Sequence, residues 1–188
     1  MTVLHEKDYT VSAWSGGKTV QLAIGPENAA YADREFLWRV SSATVELEES
    51  DYTALPDYMR WITPLDGEMF LTHNGGEEHE VKVLEPYLFD GADKTHCRGR
   101  CTDFNLMLRK GTCSGEMKTA AVKSGESTVL PAAGFSTVLI YCVQGAVFFP
   151  EQNVQLEKGM SLLVRGDAPP ALRCEALSET ALVGACIN

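Results

Sequence analysis

Trp61-Ile62-Thr63-Pro64-Leu65-Asp66-Gly67-Glu68-Met69-Phe70-Leu71 reads as a β-branched and aromatic run, a polar-Gly step, and a second apolar run. Laid without a gap on Leu139-Ile140-Tyr141-Cys142-Val143-Gln144-Gly145-Ala146-Val147-Phe148-Phe149, its two runs and the polar-Gly step between them superpose. The pattern predicts two hairpins, each turning on its glycine. The offset from Trp61 to Leu139 is 78 residues, too long for a solenoid period but suited to two copies of a small β-barrel in one chain. Outward from these stretches, strand-like runs occupy residues 21–24, 37–41, 44–47, 61–64, 69–72, 81–84, 105–108, 138–143, 146–149 and 161–164. Gly16-Gly17, Gly25-Pro26, Asn74-Gly75-Gly76, Asp90-Gly91, Gly134 and Gly159 punctuate the gaps. No apolar stripe of helical period is sustained for three turns; residues 27–35 and 53–59 have room for single turns. The fold class is all-β, a sandwich or barrel.

With 188 residues, 45% of them hydrophobic and 22% charged, the chain can bury a core but is too short for several large domains. Sixteen Lys and Arg stand against 26 Asp and Glu, a formal charge of −10, which argues against a nucleic-acid or anionic-membrane partner. Residues 1–13 interleave Glu6, Lys7 and Asp8 with single apolar residues and do not read as a signal peptide. No run approaches the roughly 20 apolar residues of a spanning helix. A soluble, cytoplasmic protein is expected, with Cys97, Cys101, Cys113, Cys142, Cys174 and Cys186 as reduced thiols.

The second half also reads Gly125-Glu126-Ser127-Thr128-Val129-Leu130-Pro131-Ala132-Ala133-Gly134, then the pair of runs about Gly145, then Leu156-Glu157-Lys158-Gly159-Met160-Ser161-Leu162-Leu163-Val164. That order resembles a cupin. Cupins commonly hold a metal through His-x-His, Glu and a later His, yet His5, His73, His79 and His96 form no such pair, so no metal is expected. Cys97-x-x-x-Cys101 with Cys113 lacks the second close pair of a zinc site. His73 and His79 flank a polar stretch that reads as a solvated hairpin tip, which leaves His96 as the histidine nearest to candidate chemistry.

Five basic residues, Lys94, Arg98, Arg100, Arg109 and Lys110, surround a single Asp103, while residues 46–51 and 77–80 are acidic. Arg forks match carboxylate oxygens, so such an island suits a carboxylate ligand; it equally suits strand ends balancing nearby acids. Arg39 and Arg60 lie in strand-like, apolar surroundings and require partners, from the protein or from a ligand. Asp103 and Asn105, two apart on a strand, share one face, with Phe104 and Leu106 on the other.

Four segments in order, Trp14-Ser15-Gly16-Gly17-Lys18-Thr19-Val20-Gln21-Leu22, Phe36-Leu37-Trp38-Arg39-Val40-Ser41-Ser42-Ala43-Thr44-Val45, Arg60 ahead of Leu65-Asp66-Gly67, and Asp103-Phe104-Asn105-Leu106-Met107 with Arg109, closely resemble the HutD/Ves family. Departures are Glu49-Ser50-Asp51-Tyr52-Thr53, where members commonly carry Asp-Gly-Pro-Phe-Ser, and Arg109-Lys110 in place of a double Arg. The resemblance implies a bicupin, two RmlC-like cupin barrels or jelly-roll sandwiches, with residues 1–115 as the first and 116–188 as the second, packed upon it. It further implies a non-enzymatic binder of a small metabolite, regulating histidine utilisation or acting in stress response. The site residues so assigned are Trp14, Gly16, Gly17, Thr19, Arg39, Ser41, Arg60, Asp103 and Asn105. Gly16-Gly17 would let backbone amides approach an anion beside Trp14 and the Thr19 hydroxyl, Arg39 or Arg60 would pair a carboxylate, and Asp103 with Asn105 would bind an imidazole or amide edge. The ligand class is formate, urocanate or a formylated amino acid, with no cofactor. The alternative is a metal-independent isomerase or lyase using Asp103 as base and His96 as acid. Edge strands make a homodimer plausible.

Overall fold

The computed structural model describes residues 1–166 and 169–188. Its strands are β1 (Thr2–Leu4), β2 (Thr10–Trp14), β3 (Gly17–Gly25), β4 (Trp38–Val45), β5 (Glu49–Asp51), β6 (Tyr58–Gly67), β7 (Phe70–His73), β8 (Glu78–Glu80), β9 (Tyr87–Asp90), β10 (Thr95–Arg98), β11 (Cys101–Arg109), β12 (Gly115–Val122), β13 (Ser127–Pro131), β14 (Thr137–Gln144), β15 (Ala146–Phe149), β16 (Val154–Glu157), β17 (Ser161–Arg165), β18 (Ala171–Ala176) and β19 (Thr180–Ile187). Two 3-10 turns, Glu6–Asp8 and Tyr31–Asp33, are the helical elements among the described residues, and no helix there is long and apolar enough to cross a membrane. Residues 53–59 hold no helical turn: the chain leaves a turn at Pro56-Asp57 directly into β6. The run at residues 81–84 is not a strand either; Val81 is buried as a core plug while the pairing falls on the charged β8 before it.

The chain divides into two compact units, Thr10–Ser114 and Gly115–Asn188 together with Met1–Tyr9. Placing the first nine residues with the N-terminal unit therefore misassigns them: β1 is hydrogen-bonded to β17, and the Tyr9 hydroxyl lies 2.9 Å from Ser161 Oγ.

In the Thr10–Ser114 unit a six-stranded sheet, β2-β3-β4-β11-β6-β9, accompanies a four-stranded sheet, β5-β10-β7-β8. In the other unit the sheets are β1-β17-β14-β19-β12 and β13-β18-β15-β16. From β4 to β11 and again from β12 to β19, eight strands follow the same order into the two sheets of their own unit.

The two stretches aligned in the sequence hold equivalent places in this repeat, but they are not hairpins. β6 bonds to β11 and β9, whereas β7 bonds to β10 and β8; likewise β14 and β15 belong to different sheets. Each glycine is a corner at which the chain leaves one sheet for the other. Gly67 and Gly145 have φ of +75° and +78°, and a Cβ would meet the Arg100 carbonyl oxygen at 2.1 Å in the first case and that of Glu179 at 2.2 Å in the second. A β-bulge precedes each corner. The ladder skips Leu65 between Asp66↔Thr102 and Pro64↔Asp103, and skips Val143 between Gln144↔Ala181 and Cys142↔Leu182.

Alternation along the strands fills the interior. In the C-terminal unit Val138, Ile140 and Cys142 on β14 join Leu182 and Cys186 on β19, with Phe149, Leu156, Leu162 and Leu172, in one apolar cluster. Smaller clusters in the Thr10–Ser114 unit include one about Ile62, Met69, Leu71 and Phe89 and another about Phe36, Leu55 and Tyr58. Leu22, Val40, Phe104 and Leu106 are also buried in this unit, and so are the polar side chains of Arg39, Ser41, Arg60, Asp103 and Asn105.

Candidate functional site

The central strand β11 pairs Met107 with Arg39 on β4 and with Arg60 on β6, Asn105 with Ser41, and Asp103 with Ala43. Period two puts Arg39, Ser41, Ala43 and Val45 on one face of β4, and Asp103, Asn105 and Met107 on the same face of β11. All of them, with Arg60, line one cavity of about 270 Å³. Thr19 from β3 and Ser12 and Trp14 from the exposed edge strand β2 complete that wall. Tyr31 and Arg34 enter from the β3–β4 connection, and Asp51, Tyr52 and Thr53 from the end of β5.

Arg39 and Arg60 are only 5% and 6% exposed, and among the described residues no carboxylate stands within ion-pair distance of either. Arg39 donates from Nε to Gln21 Oε1 at 2.8 Å and from one terminal nitrogen to Ser41 Oγ at 3.2 Å, and its guanidinium lies 4.2 Å from the Tyr31 ring centre. Burial lowers it to about 10, so it stays charged at neutral pH. Arg60 lies 5.0 Å from the ring centres of both Tyr52 and Phe89, and its Nε has no hydrogen-bond partner. Burial lowers its pKa also.

Asp103 Oδ1, Asn105 Oδ1 and the Tyr52 hydroxyl are buried polar atoms without a partner. Burial pushes the Asp103 carboxyl up to about 7, against the pull of Arg60, of the Ala43 amide and of Arg39. Tyr52 is raised well above the ordinary tyrosine range by burial and by Asp103. Unsatisfied donors and acceptors converging on one cavity are costly to the fold and are the usual mark of a place kept for a ligand.

Seven of the residues singled out in the sequence, Trp14, Thr19, Arg39, Ser41, Arg60, Asp103 and Asn105, thus lie on one cavity wall. Gly16 and Gly17 do not. They form the β2–β3 turn, where a Cβ on Gly17 would meet the Thr44 carbonyl oxygen at 1.9 Å and one on Gly16 the Trp14 ring at 2.1 Å. The close approach of β4 at Gly17 and of the Trp14 ring at Gly16 accounts for both glycines. His96 is outside the lining, 42% exposed, with Nδ1 2.9 Å from Asp51 Oδ1, so the acid–base pair with Asp103 is not assembled. Four of the five residues of the basic island are engaged elsewhere: Arg98 pairs with Glu78, Arg100 with Glu48 and Lys110 with Asp90, while Arg109 donates to the carbonyl oxygens of Arg34 and Phe36. Among the described residues no group of three or more His, Cys, Asp or Glu is placed to hold a metal ion.

Met107 was legible by extending the Asp103, Asn105 alternation one step. Tyr31 and Arg34 sit in an irregular connection where no periodicity points inward.

Two sheets of this kind around a ligand-sized interior make a cupin-like β protein, an architecture shared with a cupin 2 conserved barrel domain protein from Leptotrichia buccalis (TM-score 0.59, 9% identity, 100% of this chain and 96% of that one). The HutD family model matches residues 6–183, and the chain belongs to the HutD family. The protein Ves of Escherichia fergusonii is 28% identical over 117 residues, which span 58% of this chain and 59% of that relative's length. The structure of HutD from Pseudomonas fluorescens SBW25, described under a formate condition, aligns with a TM-score of 0.78 at 24% identity, covering 100% of this chain and 98% of that one.

Proposed function

We propose that this protein is a bicupin whose Thr10–Ser114 unit binds a small carboxylate metabolite without transforming it, in the regulatory manner the HutD name implies for histidine utilisation. The observation that carries this reading is the pair of buried arginines, Arg39 and Arg60, facing one cavity with no carboxylate in ion-pair reach among the described residues. Two uncompensated guanidiniums in a low-dielectric interior are costly, and a carboxylate supplies both the charge and the paired acceptors they lack. Asp103 and Asn105 then receive donors on the rest of the ligand, as an amide or imidazole offers. Formate, the condition of the Pseudomonas fluorescens HutD structure, is the smallest member of this class, and 270 Å³ leaves room for a larger acid.

Titration with sodium formate, urocanate and formylated amino acids, read by thermal shift and by tryptophan fluorescence, tests the reading. A ligand at 100 times its Kd stabilises by about 2.7 kcal/mol. Arg60→Met, which replaces a buried charge by an apolar chain of similar length, is expected to fold and to lose that response. Stabilisation of equal size in wild type and Arg60→Met, or none with any acid at millimolar concentration, counts against it.

A further inference from the structure

Asp103 raises a question that the arginines do not answer: a pocket for an anion has a carboxyl group in its wall. Its surroundings are contributed by five elements. Arg39 and the Ala43 amide come from β4, Arg60 from β6, Asp51 and Tyr52 from the end of β5, Tyr31 and Arg34 from the β3–β4 connection, and Cys97 from β10. Neither arginine is within ion-pair distance of Asp103, and its Oδ1 has no partner. A second unpartnered acceptor, Asn105 Oδ1, lies two residues along the same strand face.

An ionised ligand carboxylate is an acceptor and nothing else. Placed in a cavity of about 270 Å³ beside an ionised Asp103, it adds a second negative charge and sets acceptor against acceptor. Two carboxylates confined in this way raise one another's pKa, so one of them holds its proton to a higher pH than it does alone. A proton on Asp103 removes one charge and converts the contact into an O–H···O⁻ hydrogen bond, a short and strong class. The two guanidiniums remain as counter-ions of the ligand.

We propose that the anion enters this pocket together with one proton from solvent, which settles on Asp103 and is shared with the ligand carboxylate. This rests on the carboxylate-binding reading above and makes ligand occupancy a function of pH. Burial already holds Asp103 near 7, so at pH 8 the empty pocket is mostly ionised there and must take the proton up, whereas at pH 6 it already carries it.

Calorimetric titration of the full chain with sodium formate, ionised throughout this range, in MES and in Bis-Tris at pH 6 and in HEPES and in Tris at pH 8, measures the uptake. From a free value of about 7, the expected uptake is about 0.9 proton at pH 8 and about 0.1 at pH 6, with Kd rising close to tenfold per unit above pH 7. Asp103→Asn, which keeps the shape and a donor, is expected to bind formate with a Kd independent of pH and with no uptake. His96→Gln, outside the pocket, is expected to retain both the uptake and the slope. Formate binding at pH 8 without proton uptake overturns the inference alone, as does a pH slope that survives in Asp103→Asn or vanishes in His96→Gln. Failure of wild-type protein to bind formate at either pH overturns the pocket reading and this inference with it.

Discussion

Replacing Asp103 by Asn in the ligand-free protein is expected to stabilise the Thr10–Ser114 unit, and to do so more at high pH than at low. An exposed aspartate in the unfolded chain titrates near 3.8, whereas burial raises Asp103 in the fold to about 7. Between these values the folded state binds more protons than the unfolded one, so stability falls as pH rises through the window and levels off above about 7. The full difference of about three units corresponds to roughly 4 kcal/mol, of which about 2.5 kcal/mol is lost between pH 5 and pH 8. The side-chain amide introduced by Asp103→Asn mimics the neutral carboxyl and carries no such dependence. Trp14, Trp38 and Trp61 all lie in this unit, so tryptophan fluorescence reports its unfolding specifically. In urea, with an m-value of about 2 kcal/mol/M, the midpoint gap between variant and wild type should widen by about 1 M from pH 5 to pH 8. A gap that stays constant across this range, or narrows, would refute the placement of a desolvated carboxyl at this position.

Gly67→Ala is expected to cost about 2–4 kcal/mol by the same urea assay, because φ is +75° and the new Cβ strikes the Arg100 carbonyl oxygen. Gly75→Ala, at φ +72° with nothing within 4 Å, isolates the conformational part and should cost about 1 kcal/mol; equal losses at both sites would remove the role of Gly67 as a tight sheet-to-sheet corner. Leu182→Ala, in the apolar cluster of the C-terminal unit, should cost about 2–5 kcal/mol by circular-dichroism-monitored urea unfolding while leaving formate affinity unchanged; a matching loss of affinity would contradict the assignment of the site to the Thr10–Ser114 unit.

The all-β class was readable because strand-like runs and glycine punctuation alternate along nearly the whole chain. The gapless match about Gly67 and Gly145 located equivalent strands correctly, yet the pairing inferred from it was wrong. A polar-Gly step between two apolar runs is the signature of a hairpin and of a corner alike, and only the long-range partners, β11 and β10 for one copy, distinguish them. β8 escaped notice because Glu78-His79-Glu80 is an edge strand, where charges guard against association and erase the apolar alternation. At the site, residues on regular strands were recoverable from period two, whereas the basic island misled: its members are close in sequence, but their side chains reach Glu78, Glu48 and Asp90 on other segments of the chain.

The same ladder that equates the two units also shows how their side chains differ at the positions that line the cavity of the Thr10–Ser114 unit. Through the equivalent bulges, Asp103 corresponds to Leu182, Asn105 to Gly184 and Arg60 to Val138, while Arg39 and Ser41 correspond to Glu116 and Lys118. Leu182 and Val138 are fully packed in the apolar cluster of their unit, and Glu116 and Lys118 pair with each other at 2.6 Å. One copy of the architecture has therefore placed at these positions what a close-packed interior favours. The other keeps two guanidiniums, a carboxyl and an amide facing an open cavity, each of which lowers the stability of the empty fold. Residues that oppose stability at the very positions where the other unit satisfies it are what the proposed carboxylate binding would account for. Exchange of Arg60 and Asp103 for Val and Leu, their counterparts across the repeat, is accordingly the double change expected to raise stability most and to abolish anion binding completely.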